Sequence, residues 1–205
     1  MQVSKPSDQP ISQLKVVIAG GFGAGKTTLV ATASEIEPLS TDEQLTTAAI
    51  GTDRIDGVEG KTTTTVAFDF GRISLDSQNL VLYLFGTPGQ ERYQFMWDDI
   101  VEGAIGAVVL ADTRRLEDSF DSINYFLELE LPFIVAVNLF QGADRYSIDS
   151  VRTALRLQAD TPVVGCDARD SRSARHVLIT LVKHAHSIAV RARHSPSTSA
   201  RSQHV

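Results

Sequence analysis

The sequence has 205 residues, one cysteine and a formal net charge of −6 at neutral pH. This length suits one globular domain that buries its own core, and a lone cysteine excludes a framework of internal disulfides. Because no run of 18 apolar residues is present and the polar first ten residues lack the apolar region of a secretion signal, we expect a cytoplasmic protein.

Charge is distributed unevenly along the chain. Residues 1–150 hold 10 Lys and Arg against 22 Asp and Glu, whereas residues 151–205 hold 9 against 3. The acidic first part argues against non-specific binding of nucleic acid. The basic end has two interpretations: a solvated helix face followed by a tail, or a surface that faces an acidic partner or an anionic membrane.

Polar termini flank a body with regular hydrophobic patterns. Residues 1–13 and 191–205 are rich in Ser, Gln, Pro and His, and we predict that they are disordered. Between them, six apolar runs predict β-strands. These runs begin at Leu14, Thr65, Asn79, Ala104, Pro132 and Pro162. Helical patterns occur at 25–36, 90–101, 116–129, 147–157 and 172–190.

The order of these elements predicts an α/β fold. A helix separates most successive strands, but residues 76–78 join the second and third strands as an antiparallel hairpin. Near-continuous apolar strands suit a sheet that helices cover on both faces. We therefore expect a doubly wound, mostly parallel six-stranded sheet with its ligand at the carboxyl ends of the strands. The long polar segment 38–61 has the length of a functional or disordered loop.

A phosphate-binding pattern follows the first predicted strand. Residues 20–27 read Gly-Gly-Phe-Gly-Ala-Gly-Lys-Thr and fit G-x-x-x-x-G-K-[ST] between a strand and a helix. Such glycines let backbone N–H groups point at a phosphate. We expect Lys26 to reach the β- and γ-phosphates and the Thr27 hydroxyl to bind Mg²⁺. The nucleotide-binding candidates in this segment are Gly21, Phe22, Gly23, Ala24, Gly25, Lys26, Thr27 and Thr28.

Four further segments occur in the order found in small GTPases. Residues 85–91, read FGTPGQE, resemble their D-T-A-G-Q-E segment, and the strand from Thr65 resembles the threonine-led strand after their first switch. Asn138 stands where their N-K-x-D motif begins, and Cys-Asp-Ala-Arg at 166–169 resembles their S-A-K loop. More narrowly, GGFGAGKTT, TTTTVAFDFG and LYLFGTPGQ resemble the small GTPases encoded in actinobacterial conservons, which are relatives of bacterial polarity GTPases.

The resemblance implies a small-GTPase-like G domain of the P-loop NTPase class over residues 14–190. Such a domain binds GTP and GDP with Mg²⁺ and acts as a switch in bacterial signal transduction. A roadblock-type regulator and a sensor-kinase-like membrane protein are the implied partners, and membrane association would come through them.

The resemblance also implies roles for individual residues. Thr65 would bind Mg²⁺ and the γ-phosphate and would order the 38–61 loop, although the four-threonine run leaves this assignment ambiguous by one residue. Gly89 would donate to the γ-phosphate, and Gln90 would orient the attacking water. Lys26, Thr65 and Gln90 are therefore the catalytic candidates. Asn138, Gln141, Asp167 and Ala168 complete the nucleotide-binding candidates.

Two departures from the small-GTPase pattern affect the metal and the base. Gly86 replaces the aspartate that holds a Mg²⁺-bound water, so metal affinity should fall unless Asp112 or Asp69 substitutes. Gln141 replaces the aspartate that reads guanine, and a neutral amide accepts more weakly than a carboxylate. Asp144 would compensate if the loop bulges.

A third departure concerns hydrolysis. Phe22 occupies a position where many small GTPases have glycine, and its side chain would crowd Gln90 and an incoming arginine finger, so we expect slow hydrolysis. Arg54 and Arg92 are the candidates for a finger from the same chain. The apolar run 92–97 suits either a partner-binding second switch or packing on the sheet. A non-hydrolysing or weakly nucleotide-binding interaction module is one alternative function. An ATPase or small-molecule kinase is another, although the sequence has no lid or acceptor signature.

Overall fold

The computed structural model describes residues 11–37, 39–45, 64–75, 79–89 and 95–194. The described strands are β1 (Ser12–Gly20), β2 (Leu39–Leu45), β3 (Thr64–Leu75), β4 (Leu80–Gly86), β5 (Ala104–Ala111), β6 (Phe133–Asn138) and β7 (Val163–Cys166). The described α-helices are α1 (Lys26–Ala33), α2 (Trp97–Val101), α3 (Phe120–Glu128), α4 (Ile148–Ala154) and α5 (Ser171–His194). A 3₁₀-helix, Leu116–Ser119, leads into α3.

The strands form one sheet in the order β2-β3-β4-β1-β5-β6-β7. The five strands from β4 to β7 in that order are parallel, and β2 and β3 join them antiparallel. The predicted doubly wound α/β fold and its six strands are confirmed. Because β1 lies between β4 and β5, the carboxyl ends of these three strands meet at the centre of one sheet edge, where a ligand is expected.

The sheet contains a seventh strand that the sequence analysis did not predict. We interpreted residues 38–61 as one long loop, but Leu39–Leu45 pairs with the first half of β3. The sequence LSTDEQL has no alternation of apolar and polar residues, so periodicity could not reveal it. Hydrogen bonding to the edge of β3, rather than a local hydrophobic pattern, therefore holds this segment as a strand. Residues 46–61 of the predicted loop, and Pro38 at its start, lie outside the described residues.

Alternating side chains of the strands fill two cores, one on each face of the sheet. On one face, residues such as Val16 and Ile18 pack with α1 and α5. On the other, residues such as Val17 and Ala19 pack with α2, α3 and α4. The central strands bury both of their faces, which explains their near-continuous apolar sequences. The helices thereby hold the ends of β1 and β5 in fixed positions.

The regular structure extends slightly beyond the predicted body at both ends. β1 begins at Ser12, and α5 continues to His194, so these parts of the predicted disordered tails are ordered. Residues 1–10 and 195–205, which make up the rest of the predicted tails, lie outside the described residues, as does the hairpin turn 76–78. No described helix is both long and apolar enough to cross a membrane.

Candidate functional site

The phosphate loop, residues 20–27, connects β1 to α1 through three glycines in left-handed backbone conformations. The φ angles of Gly20, Gly23 and Gly25 are 132°, 74° and 104°, which residues with a Cβ rarely adopt. Gly25 is the N-cap of α1, and no side chain caps that helix end. The free N–H groups and positive dipole end of α1 therefore face the loop, as a phosphate site requires.

Two glycines of the phosphate loop are also required by close packing. A Cβ on Gly20 would lie 2.3 Å from the carbonyl oxygen of Leu110 on β5. A Cβ on Gly21 would lie 2.5 Å from Cβ of Asp118 in the 3₁₀-helix. The phosphate loop therefore packs closely against the end of β5 and the segment that follows it. This packing fixes the position of the loop relative to the sheet.

Lys26 is the buried cation of the site. Its side chain folds over the phosphate loop, where Nζ donates hydrogen bonds to the carbonyl oxygens of Gly20 at 2.7 Å and Gly21 at 2.8 Å. Burial lowers the pKa of Lys26 to about 8, although the nearby Asp69 carboxylate acts in the opposite direction. An anion beside Nζ would favour the charged ammonium.

A carboxylate takes the space beside Gly86 that the missing aspartate leaves. The Thr27 hydroxyl donates a 2.7 Å hydrogen bond to Oδ2 of Asp69 on β3. A Cβ on Gly86 would lie 3.0 Å from that same Oδ2 atom. Of the two substitutes that we considered, Asp69 lies beside the metal candidate Thr27.

The other substitute, Asp112, is engaged elsewhere. Its buried carboxylate accepts hydrogen bonds from the Arg114 guanidinium, the shortest at 2.6 Å, and from the Arg114 backbone N–H. Hydrogen bonding to the Arg114 side chain holds the pKa of Asp112 below its ordinary value. Asp112 thus braces the turn after β5.

The segment after β4 closes over Lys26. A Cβ on Gly89 would lie 2.5 Å from Nζ of Lys26 and 3.1 Å from Cα of Phe22. The neighbouring Thr87 hydroxyl is buried and makes no hydrogen bond within the described residues. A buried hydroxyl without a partner is costly, and Thr87 lies in the sequence between Gly86 and Gly89, the glycines that approach Asp69 and Lys26.

Asn138 joins the phosphate loop to the loop after β7. Its side-chain Nδ2 donates to the Ala24 carbonyl oxygen at 2.9 Å, and its Oδ1 accepts from the Ala168 backbone N–H at 3.2 Å. Both bonds are buried, so Asn138 holds the two loops together beside Gly25, whose absent Cβ would lie 2.5 Å from Nδ2.

The remaining base-site candidates surround Asn138. Gln141 and Asp144 are both exposed, and the Asp144 carboxylate accepts a 3.5 Å hydrogen bond from the Tyr146 hydroxyl. The Asp167 carboxylate accepts from the backbone N–H and guanidinium of Arg169, which lowers the pKa of Asp167. The structure therefore brings Asp167 and Ala168 to Asn138 and leaves Gln141 at the surface.

The structure does not bring Thr65 to Thr27. β3 pairs with β2 through residues 64–70 and with β4 through residues 70–75. Its first half therefore runs on past Gly86 as a two-stranded ribbon with β2. Thr65 is four residues before Asp69, which corresponds to about 13 Å along a strand.

Several candidates lie wholly or partly outside the described residues. Gln90, Arg54 and Arg92 are among the residues that the structure does not describe. In the described part of the 92–97 segment, Phe95 is exposed, but Trp97 is buried with its ring centroid 5.1 Å from that of Tyr125. The packing interpretation therefore holds for Trp97.

Sequence analysis missed two residues at the phosphate loop. Arg115 donates to the Phe22 carbonyl oxygen, and Asp118 packs against Gly21. Both follow β5, one of the strands whose carboxyl end we expected to face the ligand. Their position in the loop after Ala111 could have marked both residues as candidates. No motif, however, indicates which of the neighbouring Arg114 and Arg115 contacts the phosphate loop.

Comparisons with known proteins identify the family and the fold. The model of a family described as conserved hypothetical ATP binding protein matches residues 18–188. The uncharacterized protein MJ1339 of Methanocaldococcus jannaschii is 29% identical over 128 residues, which are 62% of this chain and 70% of that protein. The Ras-related protein Rab-18 of Caenorhabditis elegans is 25% identical over 126 residues, which are 62% of this chain and 53% of that protein.

Solved structures share the fold. The G domain of the T. maritima FeoB iron transporter superposes with a TM-score of 0.60 and 19% identity, over 84% of this chain and 99% of that domain. The cytosolic domain of the same transporter in a GDP form gives a TM-score of 0.62 and 18% identity, over 86% of this chain and 65% of that domain. The fold is that of a P-loop GTPase.

The lowered pKa of Lys26 predicts a pH-dependent stability. Between pH 8 and its ordinary value of 10.5, the unfolded chain binds more protons at Lys26 than the folded chain, so stability rises with pH. Compared with Lys26→Met, the unfolding free energy of the nucleotide-free protein should increase by about 2 kcal/mol from pH 8 to pH 10. Urea unfolding of both proteins at several pH values measures this difference in unfolding free energy. A difference that stays constant or falls as the pH rises would show that burial does not lower the pKa of Lys26.

Proposed function

We propose that this chain, which belongs to the family of conserved hypothetical ATP binding proteins, is a GTP-binding molecular switch. In this proposal it hydrolyses GTP slowly and acts in bacterial signal transduction. One observation supports the proposal: several groups that can bind phosphate or metal lie close to one another. They are the Lys26 ammonium, the start of α1, the backbone of Gly89 and the Thr27–Asp69 pair. These are the groups that bind and polarise a nucleotide triphosphate.

Phosphate binding would use backbone and ammonium groups that are already in place. The phosphate loop presents N–H groups at the start of α1, and Lys26 lies across it. A bound polyphosphate would replace the Gly20 and Gly21 carbonyl oxygens as the partner of Nζ and would stabilise its charge. Binding should therefore raise the pKa of Lys26 from its lowered value.

Mg²⁺ binding would use Thr27 and Asp69. A hydroxyl and a carboxylate are ligand types that Mg²⁺ takes, together with substrate phosphates and water. They are hydrogen-bonded to each other at the start of α1, so the donor set fits this ion. When bound, Mg²⁺ neutralises charge on the β- and γ-phosphates. Asp69 on β3 would then replace the aspartate that small GTPases have at the position of Gly86.

The switch would involve the β2–β3 ribbon. Because Thr65 lies about 13 Å along the strand from Asp69, a role for Thr65 as a Mg²⁺ ligand requires this ribbon to shift when GTP binds. Gln90 is proposed to orient the attacking water. Guanine would be held beside Asn138 and Ala168, with Gln141 providing a neutral acceptor in place of a carboxylate.

The biological setting is proposed from the sequence resemblance. GGFGAGKTT, TTTTVAFDFG and LYLFGTPGQ support the conservon type, a cytoplasmic location, a roadblock-type regulator and a sensor-kinase-like membrane protein as partners. A non-hydrolysing interaction module is the second candidate function. The observation that favours it is the exposure of two aromatic side chains near the site, Phe22 at 62% and Phe95 at 65%, since exposed aromatic residues mark partner surfaces.

Removing the buried cation tests nucleotide binding. Lys26→Ala should weaken the binding of mant-GTP by at least about a hundredfold, because a charge-assisted contact to the phosphates is lost from a buried position. Lys183→Ala on α5 is the matched control, since Lys183 is exposed and distant in sequence from the phosphate loop. Fluorescence titration measures both affinities. Equal binding by Lys26→Ala and the unmodified protein would refute the phosphate-loop assignment.

Moving the carboxylate between strands tests the metal site. Asp69→Ala should reduce the Mg²⁺-dependent retention of GDP by about 10-fold or more, as loss of a supporting metal ligand does. Gly86→Asp alone should also weaken retention, because the new side chain would meet Asp69 at about 3.0 Å. The double variant Asp69→Ala/Gly86→Asp should recover most of the loss. GDP release with Mg²⁺ or with a chelator measures the effect, and no recovery in the double variant would count against the substitution.

A further inference from the structure

The turn after β5 directs two consecutive arginines to different places. The Arg115 backbone N–H donates to the Asp112 carbonyl oxygen at 3.0 Å, and the Arg115 carbonyl oxygen accepts from the Asp118 N–H at 3.2 Å. Arg115 is thus the N-cap of the 3₁₀-helix that packs against Gly21. This short, closed turn places its side chains with little freedom.

Arg114 is committed to the protein itself. Its guanidinium binds both carboxylate oxygens of buried Asp112, and it lies 4.0 Å above the centre of the Phe140 ring. A guanidinium held by two carboxylate contacts and an aromatic face is not free to reach a ligand. The Asp112 carboxylate is therefore paired with Arg114, and it makes no hydrogen bond to the Arg115 side chain within the described residues.

Arg115 reaches the phosphate loop. Its Nη2 donates to the carbonyl oxygen of Phe22 and lies 3.3 Å from the position that a Cβ on Gly23 would take. The Asp118 carboxylate lies 3.7 Å behind Nη1. A guanidinium has five N–H donors. Within the described residues Arg115 binds the Phe22 carbonyl oxygen and pairs with Asp118, which leaves donors available.

The Phe22 backbone connects Arg115 to the Lys26 ammonium. A Cβ on Gly89 would contact both Cα of Phe22, at 3.1 Å, and Nζ of Lys26, at 2.5 Å. The proposed function places the terminal phosphate beside Lys26 and Gly89. Arg115 is hydrogen-bonded to the carbonyl oxygen of Phe22, the phosphate-loop residue that Gly89 approaches.

We propose that Arg115 is a catalytic residue that binds the terminal phosphate of a nucleoside triphosphate, with Asp118 as the residue that positions it. This inference rests on the proposed function but does not follow from it, because Arg54 and Arg92 were the arginines that the sequence suggested. A guanidinium from the same chain would then serve where other GTPases receive one from a partner.

The chemical role is electrostatic. During hydrolysis the water oxygen bonds to the γ-phosphorus, the bond from that phosphorus to the β–γ bridging oxygen breaks, and its electron pair leaves with the nucleoside diphosphate. One proton of the water stays on the attacking oxygen, and the other passes to an oxygen of the released phosphate. The Arg115 guanidinium stabilises the negative charge on the γ-phosphate oxygens, so it should favour triphosphate over diphosphate.

The test compares triphosphate with diphosphate affinity. Calorimetric titration of the full chain with GTPγS and with GDP, in Mg²⁺, gives the ratio of the two dissociation constants for each variant. Arg115→Ala should lose at least about 10-fold in GTPγS affinity, as expected for a charge-assisted phosphate contact, with less than about 3-fold change for GDP. Arg115→Lys keeps the charge without the planar fork and should be intermediate. Arg172→Ala, an exposed arginine on α5, should match the unmodified protein.

The outcomes separate this inference from the proposed function. A lower triphosphate-to-diphosphate preference in Arg115→Ala, together with slower single-turnover phosphate release, supports it. An unchanged ratio, or equal loss of GTPγS and GDP affinity with a lowered melting temperature, would show that Arg115 only supports the loop. Failure of the unmodified protein to bind either nucleotide would instead overturn the proposed function and this inference together.

Discussion

The hydrogen bond between the Thr27 hydroxyl and the Asp69 carboxylate joins the start of α1 to β3, and the arrangement of the site depends on it. Asp69 fills the space that a side chain at Gly86 would need, so the small residue on β4 and the acid on β3 belong together. A carboxylate there faces Lys26 across the phosphate loop and moderates the cost of burying its ammonium. The phosphate loop, β3 and β4 are thereby coupled electrostatically as well as by packing.

An acidic chain can bind an anionic ligand when cations lie at the binding site. The formal charge of −6 would repel polyphosphates over long distances, but such repulsion is screened within about 10 Å at ordinary salt concentrations. At close range the proposed ligand would meet Lys26, the start of α1 and Arg115, while Asp112 is paired with Arg114. Local placement of a few cations therefore outweighs the total charge.

The extent to which sequence predicted this arrangement differs between elements. The phosphate loop was predictable because its glycines and lysine are close together in sequence and their roles depend on backbone geometry. The six apolar strands were predictable because burial on both faces leaves a compositional signal. β2 was not, since it is held by the edge of β3 and its own sequence is polar and aperiodic. Asp69 was one of two candidates, and only the register of β3 against β4 could choose it. Arg115 was missed because its hydrogen bond to the Phe22 carbonyl oxygen joins positions 93 residues apart, which no local pattern reveals.

Calorimetric titration with GTP, GDP and ATP, each with and without Mg²⁺, tests whether the site binds a guanine nucleotide together with this ion. We expect GTP and GDP to bind more tightly than ATP and Mg²⁺ to strengthen their binding. A margin of about 10-fold corresponds to about 1.4 kcal/mol, which is modest because Gln141 is a neutral acceptor. If ATP binds as tightly as GTP, the site does not select guanine, and if Mg²⁺ leaves the affinities unchanged, the ion does not bind with the nucleotide.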